Sequence, residues 1–189
     1  MPVESSAVAT WANLVTVARL LIAPLVFWLI PQHAGGAWPA FALWFVLCSS
    51  DGVDGYLARR HGTTTLGAFL DPLADKVLVL GAMFTLVSRD VFWVVPVVVI
   101  AGRELAISLY RTFVGAKGVS VPASKVAKWK TVTQQLSVGF AIAPLTALDA
   151  KWLWNGLLWI SEALALISGG QYMWRAHVGK RVAELTRVA

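Results

Sequence analysis

Long apolar runs alternate with short polar breaks along the chain, and runs of this length predict helices. A membrane-crossing helix needs about 20 predominantly apolar residues, and six stretches approach that length. They run from about Leu14 to Ile30, from Trp38 into a polar segment beginning at Asp51, from Gly67 to Val87, from Val91 to Phe113, from Thr131 to Leu148 and from Leu153 to Trp174. The breaks between them carry turn-forming or polar residues: Pro31-Gln-His-Ala-Gly-Gly, Arg60-His-Gly, Ser88-Arg-Asp, Gly115-Ala-Lys-Gly and Asp149-Ala-Lys.

Composition turns six helices into six spans. Hydrophobic residues make up 58% of the chain and charged residues 14%, with a mean hydropathy of +0.68. Soluble domains carry about 25% charge. The expected fold class is all-α, a polytopic membrane protein built as a six-transmembrane-helix bundle. No internal repeat or low-complexity linker appears, so residues 1–189 read as one domain. Within it, 1–12 form an N-terminal interfacial segment and 176–189 a cytoplasmic tail. The start lacks a basic n-region, so no cleavable signal sequence is expected. Cys48 is the single cysteine, which excludes an internal disulfide. Most of the ten tryptophans fall near span ends, as an interfacial belt would place them. Trp152, Trp154 and Trp159 read as anchoring or packing the sixth span.

Charge sets the orientation. Arg59, Arg60, Arg111, Lys117, Lys125, Lys128, Lys130, Arg175, Lys180, Arg181 and Arg187 lie at alternate connections or in the tail, whereas the opposite side has Arg89 and Lys151. The positive-inside rule then puts both termini on the cytoplasmic face of the cell membrane. The net charge of +6 is therefore a topology signal. Nucleic-acid binding is excluded, because these cations flank apolar spans and do not form a soluble basic face.

Against this apolar background, four carboxylates stand within one window, Asp51, Asp54, Asp71 and Asp75, in a chain with ten acidic residues. Residues three or four apart share a helix face, so each pair can point into one cleft. Unneutralised, such a group would repel. Divalent cations are its natural partners, and oxygen-only ligands favour magnesium, manganese or calcium over zinc. Gly55 and Ala58 follow the first pair and Gly67 precedes the second; small side chains leave room for a bulky group. Arg59 adds a planar cation suited to phosphate. Together these residues read as a phosphate-transfer site. Salt bridges within a helix pair are the competing reading, disfavoured because basic partners for four buried acids are scarce here. An ion pathway would also use intramembrane acids, but it needs polar residues continuing across the spans, and the outer halves offer few.

The window Asp51-x2-Asp54-Gly55-x2-Ala58-Arg59, followed by Gly67-x3-Asp71-x3-Asp75, resembles the signature of the CDP-alcohol phosphatidyltransferases at every fixed position. One departure is the spacer from Arg59 to Gly67, seven residues where the family usually has eight or nine. The resemblance implies a cytoplasm-facing active-site cavity at the inner ends of the second and third spans. It implies Mg2+ or Mn2+, two ions per site, held by Asp51, Asp54, Asp71 and Asp75. It makes Asp75 the general base, although sequence alone does not choose it over Asp71. Gly55, Ala58, Arg59 and Gly67 would then lie against the nucleotide of a CDP-diacylglycerol donor.

Two further clusters gain meaning from the resemblance. Asn13, Thr16 and Arg19 fall on one helical stripe; alone they read as an interfacial helix start, whereas in the family an Asn-x2-Thr-x2-Arg element helps frame the nucleotide. Farther on, Arg103-Glu104, Arg111 and Ser124-Lys125-x2-Lys128-x-Lys130-Thr131 resemble the phosphatidylglycerophosphate synthase branch. Arg103 and Glu104 diverge by about 100° around a helix, so pairing between them is not required. Arg103, Arg111, Lys125, Lys128 and Lys130 would hold the phosphate of a small phosphorylated alcohol, with glycerol 3-phosphate the favoured acceptor. Phosphatidylglycerol and inositol phosphate are the alternative acceptors, and a basic rim that attracts anionic lipid is the alternative to an acceptor pocket. An aspartate-rich membrane prenyltransferase would share the acids and magnesium, but its motifs lack Gly-x2-Ala-Arg. Gly139 and Gly156 would permit the helix contacts of a homodimer.

Overall fold

The computed structural model describes the backbone of residues 7–32, 35–61, 65–115 and 125–188, and side chains within 14–32, 35–50, 72–111 and 126–174. The described residues form six helices and no strand: α1 (Ala7–Leu29), α2 (Trp38–His61), α3 (Thr65–Ser88), α4 (Val94–Gly115), α5 (Lys125–Ile142) and α6 (Lys151–Val188). Each corresponds to one of the expected runs. Helix α1 extends N-terminally to Ala7, so much of the expected interfacial segment is helical backbone. Helix α5 begins six residues before Thr131 and ends at Ile142, where a run to Leu148 was expected. Pro144 explains the early stop, since a proline disfavours helical geometry at the residue before it. Helix α6 continues beyond Trp174 through the basic tail.

Among the described residues, no helix is long and apolar enough to cross a membrane. Arg103 and Glu104 interrupt the apolar run of α4, and Glu162 interrupts that of α6.

The helices close into a ring. α1 packs on α2 and α3, α2 on α5, α5 on α6, α6 on α4, and α4 back on α3, with α3 also touching α5 across the middle. One apolar core runs through the ring, including Ala23, Val26, Trp44, Leu78, Met83, Ile100, Val138 and Leu158. The buried positions Thr16, Arg19, Ala23 and Val26 of α1, and Ile30 just past its end, follow a three-four spacing, so a single stripe faces inward. Outward faces carry large apolar side chains, among them Leu21, Trp28, Phe45, Trp93 and Leu109.

Close backbone approaches fix the helix ends. Ala37 donates to the Ile142 carbonyl at 3.0 Å, docking the α1–α2 turn onto the end of α5. Gly36 has φ +68°, and a Cβ there would lie 2.6 Å from the Ile142 carbonyl oxygen, so glycine is required on both counts. Trp154 is buried, with its ring 5.6 Å from Phe92, while Trp159 meets Trp93 at 5.8 Å and Trp152 is exposed. These three tryptophans of α6 thus divide between packing and surface, as expected, while the fourth, Trp174, is exposed. Gly139 lies against Trp44 inside the ring, whereas Gly156 has open space around it. Gly139 therefore serves an internal helix contact.

Candidate active site

A polar cavity of about 410 Å³ opens between α3, α4, α5 and α6. Helical spacing builds each wall. Asp75 and Lys76 come from α3; Arg103, Glu104 and Arg111 from α4; Lys128, Lys130 and Gln135 from α5; Ser168 and Tyr172 from α6. Glu104 and Arg111, seven residues apart on α4, share the face expected of them.

The side wall between α4, α5 and α6 is a buried polar knot. Glu104 Oε1 accepts from Arg103 Nη1 at 3.0 Å and also from Lys130 Nζ. Arg103 reaches α6 as well, with Nε donating to the Ala165 carbonyl at 3.0 Å and Nη2 to Ser168 Oγ at 2.8 Å. Arg103 and Glu104 therefore do pair, despite their divergence around the helix. The long arginine side chain spans the gap, and its two bonds to α6 hold the guanidinium where Nη1 meets the carboxylate. Glu104 and Lys130 are almost fully buried. Their mutual bonding meets the requirement that buried charges be paired.

The other two described cations of the expected acceptor set are placed differently. Arg111 and Lys128 are exposed side chains on the cavity wall, available to an incoming anion. The Lys125 side chain lies outside the described residues.

Asp75, from α3, also lines the cavity; it is half-buried, and its Oδ1 accepts from Gln135 Nε2 of α5 at 3.4 Å. The side chains of Asp51, Asp54, Gly55, Ala58, Arg59, Gly67 and Asp71 lie outside the described set. Their backbone is helical: Asp51 and Asp54 lie in the last part of α2, and Asp71 is one turn before Asp75 in α3. Each pair therefore has the helical register that the spacing predicts. Among the described residues no three carboxylate, imidazole or thiol groups converge on a metal position. Thr16 and Arg19 face inward on α1 and are buried, while the Asn13 side chain falls outside the description.

Sequence reasoning passed over Gln135, Ser168 and Tyr172. Gln135 had a usable signal, being a polar residue within the apolar run that starts at Thr131. Ser168 and Tyr172 had none, because serine and tyrosine are ordinary in a helix of this composition.

A second cavity, also about 410 Å³, lies between α2 and α5 and is mainly apolar, with Phe41, Trp44, Phe45, Leu136 and Phe140 in its walls. Gln135 and Val132 line both cavities.

The family model described as CDP-alcohol phosphatidyltransferase matches residues 9–167. A CDP-diacylglycerol–glycerol-3-phosphate 3-phosphatidyltransferase from Rickettsia typhi is 34% identical over 165 residues, covering 85% of this chain and 93% of the relative. A protein of the same name from Cereibacter sphaeroides is 30% identical over 207 residues, covering 87% and 94%. A probable phosphatidylglycerophosphate synthase from Mycobacterium tuberculosis is 38% identical over 149 residues, covering 74% and 68%.

Proposed function

Because the chain belongs to the CDP-alcohol phosphatidyltransferase family, we propose that it transfers the phosphatidyl group of CDP-diacylglycerol to glycerol 3-phosphate, forming phosphatidylglycerophosphate and CMP. The observation that carries this reading is the polar cavity, whose lining brings together Asp75, Arg111 and Lys128. A carboxylate and cations lining one small cleft suit a substrate that brings both a hydroxyl and a phosphate. The names of the Rickettsia and Cereibacter relatives support this acceptor.

Asp75 acts as the general base. It takes the proton of the acceptor hydroxyl as that oxygen bonds to the lipid-side phosphorus and the bond to the CMP oxygen breaks. Arg111 and Lys128 hold the acceptor's phosphate, and Lys125 stands near the start of the same helix. Arg103 and Lys130 contribute positive potential from behind, through a knot that fixes them in place. Thr16, Arg19, Asn13, Gly55, Ala58, Arg59 and Gly67 make up the donor side.

A divalent cation fits the donor set, because the four acids are hard oxygen ligands on consecutive helices and the one described among them lines the cavity. When bound by Asp51, Asp54, Asp71 and Asp75, a pair of Mg2+ or Mn2+ ions would clamp the donor pyrophosphate and offset charge on departing CMP.

The setting we propose is the cell membrane, with the cavity and both termini on the cytoplasmic side. The outward-facing leucines, phenylalanines and tryptophans support it, since apolar surface on that scale needs covering. The basic residues at alternate connections support the orientation. The test offers the purified protein CDP-diacylglycerol with glycerol 3-phosphate, phosphatidylglycerol or inositol phosphate, scoring CMP release and lipid product. Phosphatidylglycerophosphate is expected from the first; CMP release with only another acceptor would reject the assignment.

A further inference from the structure

We infer that Gln135 is a positioning residue for the transfer, holding the Asp75 carboxylate at the cavity wall; this rests on the role proposed for Asp75. The side-chain amide donates to Asp75 Oδ1 at 3.4 Å, from α5 to α3. The same residue is tied at its main chain, where its carbonyl accepts from Trp44 Nε1 of α2 at 3.2 Å. Trp44 is itself buried in the core, so the anchor is rigid. One residue therefore links the helix that carries Asp51 and Asp54 to the helix that carries Asp71 and Asp75.

Its place between the cavities adds a second reason. Gln135 lines both the polar cavity and the apolar groove. The amide thus stands at the boundary between the two cavities, and from there its donor helps set the direction of the Asp75 carboxylate on the polar side. An amide does so without adding a cation to the site. The chemistry demands such control, because a small misplacement of a reacting group costs rate steeply.

Three variants in the full-length protein test this. Gln135→Leu keeps the volume but removes the donor; kcat should fall about tenfold, the order of one hydrogen bond to a charged group. Both substrate KM values and the unfolding midpoint should stay at their wild-type levels. Gln135→His restores a ring N–H close to the position of the amide nitrogen and should recover most of the lost kcat. A wild-type rate in Gln135→Leu, an equal loss in Gln135→His, or a loss seen in KM or in the unfolding midpoint would each overturn the assignment. Asp75→Asn, expected to slow turnover by about 10²–10⁴-fold, separates the two levels. A nearly normal rate there removes the base and with it the inference. An inactive Asp75→Asn beside a normal Gln135→Leu removes only the positioning.

Discussion

Replacing Glu104 by glutamine tests the buried knot between α4, α5 and α6. The exchange keeps the shape and an oxygen acceptor but removes the single negative charge that Arg103 Nη1 and Lys130 Nζ share. Arg103 would keep its bonds to Ala165 and Ser168. Lys130, only 5% exposed, would lose the countercharge that makes its burial tolerable. Removing one partner of a buried pair costs about 3–5 kcal/mol. The surviving arginine bonds put this case near the lower end, at about 3 kcal/mol. For a chain of this size each kcal/mol shifts the melting midpoint by about 2–4 °C, so a fall of about 6–12 °C is expected. Thermal unfolding in a fixed detergent, followed by circular dichroism, reads it directly. Adding Lys130→Met should recover part of the loss, because the orphaned ammonium is gone, and the non-additivity measures the coupling. A Glu104→Gln protein melting with the wild type, or a double variant less stable than the single one, would refute the reasoning.

Three other outcomes follow from the same geometry. Arg111→Ala should raise the acceptor KM more than the donor KM in steady-state assays; an unchanged acceptor KM would favour a basic rim that meets anionic lipid. A chelator should abolish turnover, with magnesium or manganese restoring it, and full activity in excess chelator would reject the metal-binding role of the four acids. Gly36→Ala should destabilise the fold by about 1–3 kcal/mol, because it combines a positive φ with a clash against the backbone of α5; a wild-type melting midpoint would show that the α1–α2 turn yields easily.

The order and approximate extent of the six helices were legible in the apolar runs, since each run is long and bounded by turn residues. The family was legible too, because the eight fixed positions from Asp51 to Asp75 keep their spacing within consecutive helices. Helical periodicity also placed Glu104 and Arg111 on one face and Thr16 with Arg19 on one stripe. All of these are relations inside a helix, where 3.6 residues per turn fixes the geometry.

Relations between helices were a different matter. That Glu104 accepts from Lys130, that Arg103 reaches Ala165 and Ser168, and that Gln135 meets Asp75 across sixty residues all depend on which faces the ring brings together. The row of basic residues read as one phosphate-binding set. Packing divided it, burying Lys130 in an ion pair and leaving Arg111 and Lys128 open to the cavity. A sequence records which side of its own helix a residue occupies; only tertiary contact supplies the neighbour that neutralises it or leaves it available.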